Sequence, residues 1–156
     1  KIKPVLVATG SAVIVAILGG FASRPGPWYD ALEKSALTPP DWVFGPAWTL
    51  IYASCVIAGV IGWAHSKTLR TRGWLLSLFF FNAVFNILWS LFFFTLHRPD
   101  WALAEVVALW ASVAALIVFL WRRKPIAGLL LVPYLIWVSF AGYLNYQVVA
   151  LNPPFG

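Results

Sequence analysis

The feature that most constrains this chain is a series of five long apolar stretches separated by short polar segments. A hydrocarbon core about 30 Å thick is crossed by roughly 20 apolar residues in an α-helix. The stretches predict spanning helices at about residues 4–23, 43–64, 74–96, 101–121 and 126–151. We therefore expect an all-α integral membrane protein. It would form one five-helix transmembrane bundle over residues 1–156, with a long loop between helices 1 and 2.

Composition supports this class and excludes others. Hydrophobic residues make up 62% of the chain and charged residues 10%, against roughly 45–50% and about 25% in soluble domains. A large soluble domain is excluded. Cys55 is the single cysteine, so neither an internal disulfide nor a cysteine-based metal cluster is possible. The net charge is +6, and the basic residues lie almost entirely between the apolar stretches. Lysine and arginine at these positions set membrane topology and contact lipid head groups, so nucleic acid is not an expected partner.

The distribution of lysine and arginine predicts the orientation. Eight lie at the N-terminus and in the second and fourth loops, and three lie in the first and third loops. By the positive-inside rule, the N-terminus faces the cytoplasm and the long first loop faces outward. A cleavable signal peptide is the competing interpretation of the first stretch, because Lys1 and Lys3 precede it and residues 21–23 weakly resemble a cleavage site. The stretch is longer than a usual signal core, which favours a span.

The first loop, residues 24–42, is the longest polar segment. Prolines lie near both of its ends, and residues 29–36 are predicted to form a short helix. A loop of this length between two helices can act as a lid over a site. Its aromatic residues Trp28, Tyr29 and Trp42 can alternatively anchor the chain at the membrane interface.

Ionisable residues are almost absent from the predicted spans. Glu105 lies about one turn inside the fourth span, where it is expected to reach the interface rather than to carry protons. His65 and His97 lie at span ends without a second ligand at helical spacing, so no metal site is expected. The spans therefore lack the ionisable and metal-ligating side chains that a proton relay, a metal hydrolase or a serine triad would need.

Three spans carry faces that combine aromatic rings with neutral polar groups. Asn82, Asn86 and Ser90 recur every four residues in the third span, beside Trp89. The corresponding faces are Trp48, Tyr52, Cys55 and Gly59 in the second span, and Tyr134, Trp137, Ala141 and Asn145 in the fifth, flanked by Leu144. Such faces predict a pocket for a large, mostly apolar ligand. The alternatives are asparagines that bond helix to helix and aromatic residues that form an interfacial belt.

Two further features concern packing. Small residues recur every four positions in the first span, at Ala8, Ala12, Ala16 and Gly20. They favour close helix packing inside the bundle over a dimer interface. Pro133 in the fifth span is expected to loosen that helix and to free a carbonyl group.

An ordered set of motifs resembles a known family. These are Trp28–Lys34, Thr38–Pro40, Phe44–Trp48, Asn82 with Asn86–Trp89, and Val132–Trp137 followed by Phe140–Asn145. They resemble the translocator protein family, whose bacterial members are called tryptophan-rich sensory proteins and whose mitochondrial members are called peripheral-type benzodiazepine receptors. The resemblance covers all five spans in order.

The resemblance implies a five-helix bundle, usually a homodimer, with a pocket beneath the first loop. The family binds porphyrins, haem precursors, sterols and synthetic isoquinoline or benzodiazepine-type ligands there. By this resemblance Tyr29 and Pro39 belong to the lid. The walls are Trp48 and Tyr52 from the second span, Asn82, Asn86 and Trp89 from the third, and Trp137, Ala141 and Leu144 from the fifth.

The resemblance leads to a ranked set of functional hypotheses. The first is a receptor or carrier for protoporphyrin IX and related haem precursors, with a sensory or transport role and no required cofactor. The second is a light-dependent porphyrin-degrading enzyme in which Trp48 and Trp137 act. The third is a membrane assembly scaffold. No basic residue follows Tyr143 or Tyr146 to complete a sterol-recognition pattern, which favours a bacterial-type porphyrin binder over a sterol binder.

Overall fold

The computed structural model of the chain describes residues 2–155, which contain helices and no strands. Lys1, counted above in the charge distribution, and Gly156 lie outside the described residues. Five helical segments are long and apolar enough to cross a membrane: Ile2–Ala22, Asp41–Ala64, Leu69–Thr95, Pro99–Arg123 and Pro125–Leu151. The predicted five-helix architecture is therefore confirmed.

The described part of the chain forms seven α-helices. They are α1 (Ile2–Ala22), α2 (Pro27–Ala31), α3 (Phe44–Ala64), α4 (Leu69–Ser90), α5 (Pro99–Arg123), α6 (Pro125–Leu130) and α7 (Val132–Leu151). A 3-10 turn, Asp41–Val43, leads into α3, and a π-helical turn, Leu91–Thr95, continues α4. The short helix α2 lies in the first loop.

Helix α4 begins five residues earlier than the apolar stretch predicts. Thr68 caps it, because the Thr71 amide donates to Thr68 Oγ1 at 3.1 Å and the Thr71 hydroxyl lies 3.3 Å from the Thr68 amide. This reciprocal pairing satisfies backbone groups that the first turn leaves unpaired. Arg70 and Arg72 consequently lie in the first turn of the helix rather than in a loop.

The predicted helix at residues 29–36 is wrong in its extent. Helix α2 ends at Ala31, and Leu32 is extended, with φ −70° and ψ 142°. The Lys34 ammonium donates to the carbonyl groups of Tyr29 at 2.8 Å and Leu32 at 3.2 Å. These carbonyls therefore find a partner without a further helical turn.

The fifth span is divided into two helices at Leu131, as its proline predicts. Pro133 occupies the first turn of α7, where its missing N–H costs least. Because Pro133 has no amide hydrogen, it cannot bond the carbonyl group four residues earlier. The regular hydrogen bonding of the helix is therefore interrupted between α6 and α7.

Helix α5 is the centre of the bundle. It packs against α4, α6 and α7, and its inward face is a stripe of fully or nearly buried apolar side chains: Ala102, Val106, Leu109, Val113, Leu116 and Leu120. The three- and four-residue spacing of this stripe keeps it on one helical face. Helix α1 lies at the edge, packs against α3 and α4, and buries only Gly19.

Gly128 of α6 lies directly against the backbone of α5. A Cβ atom at this position would lie 3.0 Å from the Ile117 carbonyl oxygen and 3.0 Å from the Trp121 amide nitrogen. Both obstacles are backbone atoms, which cannot turn away as a side chain can. The turn between α5 and α6 therefore depends on the absence of a side chain at residue 128.

Candidate ligand-binding site

Two cavities lie along the inner face of α1, between this helix and its neighbours. The lid cavity, about 380 Å³, lies beneath the first loop and is lined by residues that include Tyr29, Trp48 and Trp137. The Lys3 cavity, about 460 Å³, lies toward the opposite end and is lined by residues that include Lys3 and Trp63. Both volumes fall within the range of small-molecule sites.

A single hydrogen bond marks the boundary between the cavities. The Asn86 amide donates to the Tyr52 hydroxyl at 3.2 Å, and both residues line both cavities. The face predicted in the second span consequently serves two spaces, with Trp48 in the lid cavity and Cys55 and Gly59 in the Lys3 cavity. The sequence predicts one pocket, and the structure divides it.

Eight of the ten predicted ligand residues line the lid cavity: Tyr29, Trp48, Tyr52, Asn86, Trp89, Trp137, Ala141 and Leu144. They come from the first loop, α3, α4 and α7, so segments far apart in sequence converge on one space. Asn82 lines only the Lys3 cavity, because it lies one turn beyond Asn86 on the other side of the boundary. Pro39 lines neither cavity.

Aromatic rings form the wall of the lid cavity. The Trp48 ring lies 5.7 Å from that of Tyr52 at 28° and 6.4 Å from that of Trp137 at 89°. Phe44 packs against Trp137 at 5.8 Å. The Trp137 indole nitrogen is buried and has no hydrogen-bond partner among residues 2–155. This wall therefore offers ring surface for stacking against an apolar ligand.

Asparagines also hold the walls in place, as one of the alternatives above expects. Asn145 is 1% exposed; it accepts from Trp89 Nε1 at 3.1 Å and donates to the Pro99 carbonyl at 2.9 Å. Asn82 donates to Ser112 Oγ at 3.0 Å and accepts from the Tyr134 hydroxyl at 3.2 Å. Asn145, predicted to lie on the ligand face, lines neither cavity and instead links α4, α5 and α7.

Helix α1 supplies a wall that the predicted ligand set omits. Ala16 and Gly20 line the lid cavity, and Ala8 and Ala12 line the Lys3 cavity. The small-residue stripe therefore lines the two cavities. It does not pack closely against a neighbouring helix as predicted, because Ala16 and Gly20 are exposed and no atom lies within 4 Å of a Cβ built at Gly20. Small side chains at these positions leave the space that becomes the cavities. The four-residue repeat was the sequence signal for this wall.

Aromatic contacts hold the first loop over the lid cavity. Tyr29 is 7% exposed and packs against Phe94 at 5.4 Å, and Trp28 stacks on His97 at 4.2 Å. Tyr29 thus lies in the lid, whereas Trp42, 74% exposed, suits the alternative of an interfacial anchor. Burial raises the pKa of Tyr29, and the charges of Asp41 and Asp30 raise it further. The phenol therefore remains neutral at physiological pH.

A side-chain clamp joins this lid to the end of α7. Asn152 Nδ2 donates to the Glu33 carbonyl at 2.9 Å, and the Glu33 amide donates to Asn152 Oδ1 at 3.0 Å. We expect Asn152→Ala to accelerate hydrogen exchange at the Glu33 amide and to raise the ligand dissociation rate severalfold, since each net hydrogen bond contributes roughly 1 kcal/mol. Gln147→Ala, whose amide bonds Tyr143 instead, is the matched control. Unchanged exchange at Glu33 in Asn152→Ala would contradict the clamp.

Glu105 lies near the start of α5, and its interfacial depth stays a prediction. Both carboxylate oxygens are buried and lack a hydrogen-bond partner within the described residues. An unpaired buried polar group costs roughly 1–3 kcal/mol. Glu105→Leu should therefore stabilise the bundle by about that amount, measured as a higher unfolding temperature in detergent, whereas Glu33→Leu in the exposed loop should change little. A lower unfolding temperature for Glu105→Leu would show that the carboxyl group has a stabilising partner.

Comparison with known proteins decides the family. Residues 7–151 match the model of the TspO/MBR family. The chain belongs to this family. It is 41% identical over 136 residues to protein CrtK of Rhodobacter capsulatus, covering 86% of this chain and 84% of that protein.

Relatives from other domains of life match over similar lengths. The chain is 39% identical to the tryptophan-rich protein TspO of Archaeoglobus fulgidus, with 94% of this chain and 96% of that protein covered. It is 31% identical to the human translocator protein, with 78% and 72% covered. Five apolar helices and membership of the TspO/MBR family identify a multi-pass integral membrane protein. The family also supports a membrane receptor or sensory role.

Proposed function

We propose that this TspO/MBR family member is a membrane receptor or carrier that binds protoporphyrin IX and related haem precursors in the lid cavity. The observation that carries the proposal is the convergence of eight predicted ligand residues on one aromatic-walled space beneath a fastened loop. A flat conjugated ligand suits ring surfaces that can stack on its face and meet its edge. Rotation of the Trp137 ring would bring its unpartnered N–H to a polar atom of the ligand.

The charge distribution supports one binding orientation. Asp41, at the end of the first loop, is the acidic residue in the described lining of the lid cavity. Carboxylates of a porphyrin would be repelled by Asp41 and poorly solvated among the rings. The apolar macrocycle should therefore lie against Trp48 and Trp137, with its carboxylates at the mouth, in contact with water.

A titration in the dark tests the proposal. Protoporphyrin IX is added to the purified protein in detergent, and tryptophan fluorescence is recorded. We expect saturable quenching that Trp74→Phe preserves, because Trp74 is 57% exposed and lines neither cavity. Quenching that rises linearly without saturation, as for porphyrin dissolving in detergent, would overturn the proposal.

The contact between Trp48 and Trp137 favours a second candidate, light-dependent porphyrin degradation. Indole rings beside a bound porphyrin can quench its excited state or intercept reactive oxygen. If the protein is such an enzyme, illumination of the complex should yield a new absorption band faster than free porphyrin bleaches, and Trp137→Phe should slow its appearance. Equal rates with and without protein would leave the receptor role alone.

Two finer expectations belong to this proposal. The excess of basic residues at the N-terminus and in the second and fourth loops favours a cytoplasmic N-terminus. The lid would then face away from the cytoplasm, and ligand would enter from that side. The family resemblance favours a homodimer, in which each copy would keep its own lid cavity, since this space is bounded by elements of one chain.

A further inference from the structure

The Lys3 cavity is separate from the proposed porphyrin site and has a different chemical character. Its buried polar groups bond to one another: Asn82 pairs with Tyr134 and Ser112, and Asn86 pairs with Tyr52. The Tyr52 hydroxyl and the Asn86 amide lie at the boundary with the lid cavity, away from the Lys3 end. The remaining surface is aliphatic and aromatic, which suits a hydrocarbon chain.

The cavity opens sideways between α1 and α4. Val7 on α1 and Leu76 on α4 line it, and each is 54% exposed. Both residues lie in helices long and apolar enough to cross a membrane. An opening between two membrane-crossing helices faces the surrounding bilayer, so an acyl chain can enter without passing through water.

Cations lie at one end of this cavity. Lys3 is part of its lining, and the Arg72 guanidinium lies 4.2 Å from the centre of the Trp63 ring, which is also part of it. The Arg72 Nε donates to the Ser66 carbonyl at 3.0 Å, which holds the side chain at this end of the bundle. No acidic residue is in the described lining of the cavity. This end therefore complements an anionic head group.

We propose that the Lys3 cavity binds one acyl chain of an anionic phospholipid, whose head group lies against Lys3 and Arg72. The apolar interior holds the chain, the lateral opening admits it from the bilayer, and the two cations select the charge of the head group. This site does not depend on the porphyrin proposal, because a separate set of observations carries it.

Photolabelling of the full chain tests the site. The protein is reconstituted in vesicles of neutral phosphatidylcholine that contain a small fraction of phosphatidylglycerol with a diazirine midway along one acyl chain. After illumination, labelled peptides are mapped by mass spectrometry. We expect labels around Ala12, Gly59 and Ala83, which line the cavity on three different helices. Labels spread evenly over outward-facing residues would overturn the proposal.

Two cavity-filling variants on the same stripe distinguish the site from general lipid contact. Ala12→Phe places a ring in the Lys3 cavity, and Ala16→Phe places one in the lid cavity. Labelling of Gly59 and Ala83 should fall at least fivefold in Ala12→Phe and stay unchanged in Ala16→Phe. Should Ala12→Phe fail to fold, Gly59→Val is the substitute, because its Cβ meets only the Phe79 ring at 3.7 Å. Equal labelling in all variants would contradict the assignment.

Head-group selection is tested separately. The same diazirine chain on phosphatidylcholine should label the cavity severalfold less than on phosphatidylglycerol, and Lys3→Gln should remove most of this difference. Lys67→Gln is the control, because Lys67 lies near the same end but outside the lining. Preferential labelling by a diazirine fatty acid instead of the phospholipid would overturn the choice of a phospholipid.

Discussion

Replacing Trp48 with alanine is expected to weaken protoporphyrin IX binding about tenfold or more while leaving the bundle folded. Trp48 contacts the rings of both Tyr52 and Trp137, so its loss removes the centre of the aromatic wall. Aromatic residues in desolvated pockets contribute on the order of 2 kcal/mol to binding, and each 1.4 kcal/mol is about a tenfold change in Kd. Saturable fluorescence quenching in the dark gives the Kd.

Comparison of two Trp137 variants separates ring contact from hydrogen bonding. Trp137→Ala should weaken binding to a similar degree. Trp137→Phe keeps a ring but loses the unpartnered N–H, so the difference in Kd between the two variants gives the contribution of ring contact. Trp74→Ala is the control for general loss of an indole, since this residue is largely exposed. Unchanged affinity in both Trp48→Ala and Trp137→Ala, with unfolding temperatures intact, would place the porphyrin outside the lid cavity.

Replacing Gly128 with valine should destabilise the bundle by roughly 3 kcal/mol or more, because overpacking by even small groups typically costs 1–3 kcal/mol. The new Cβ would approach the Ile117 carbonyl and the Trp121 backbone to 3.0 Å, and the two γ-carbons would add to this crowding. Relief requires α6 to move away from α5, which carries the buried stripe of the core. Thermal unfolding in detergent measures the effect.

Glycines without such neighbours provide the control. No atom lies within 4 Å of a Cβ built at Gly10 in α1. Gly10→Ala should therefore leave stability unchanged or raise it, since alanine is favoured over glycine in a helix by about 1 kcal/mol. If Gly128→Ala and Gly10→Ala unfolded at the same temperature, close approach would not be what residue 128 provides.

The spans could be predicted because bilayer crossing is a local requirement. Length and polarity of a single segment decide whether it can cross, so the apolar stretches locate all five spans without knowledge of their partners. Their ends are less determined by hydropathy. The start of α4 depends on the Thr68 cap, and the early end of α2 depends on where the Lys34 ammonium lies.

The site could be predicted in part, for a related reason. Helical spacing identifies which residues share a face, and the family motifs indicate which faces meet; eight of ten residues indeed line one cavity. Helical spacing does not show at which level along the bundle axis the residues of two facing helices come into contact. Tyr52 and Asn86 meet across the bundle, and that contact assigns Asn82 to a second cavity.

Burial of a single side chain likewise depends on its neighbours. Glu105 lies near the start of α5, where sequence position indicates access to the interface, yet packing encloses its carboxylate oxygens. Asn145 has the helical spacing of the ligand face, but its side chain forms hydrogen bonds with the Trp89 indole and the Pro99 carbonyl instead of lining the cavity. Long-range partners of this kind leave no periodic signal within one segment.

The sequence by itself determined the membrane class, the number of spans and the helical faces that turn inward, because each follows from the polarity and period of one segment in hydrocarbon. The family motifs added the expected ligand class. Only the tertiary structure decided that these faces enclose two cavities of different chemistry, since the Tyr52–Asn86 contact and the placement of α1 arise between segments distant in sequence.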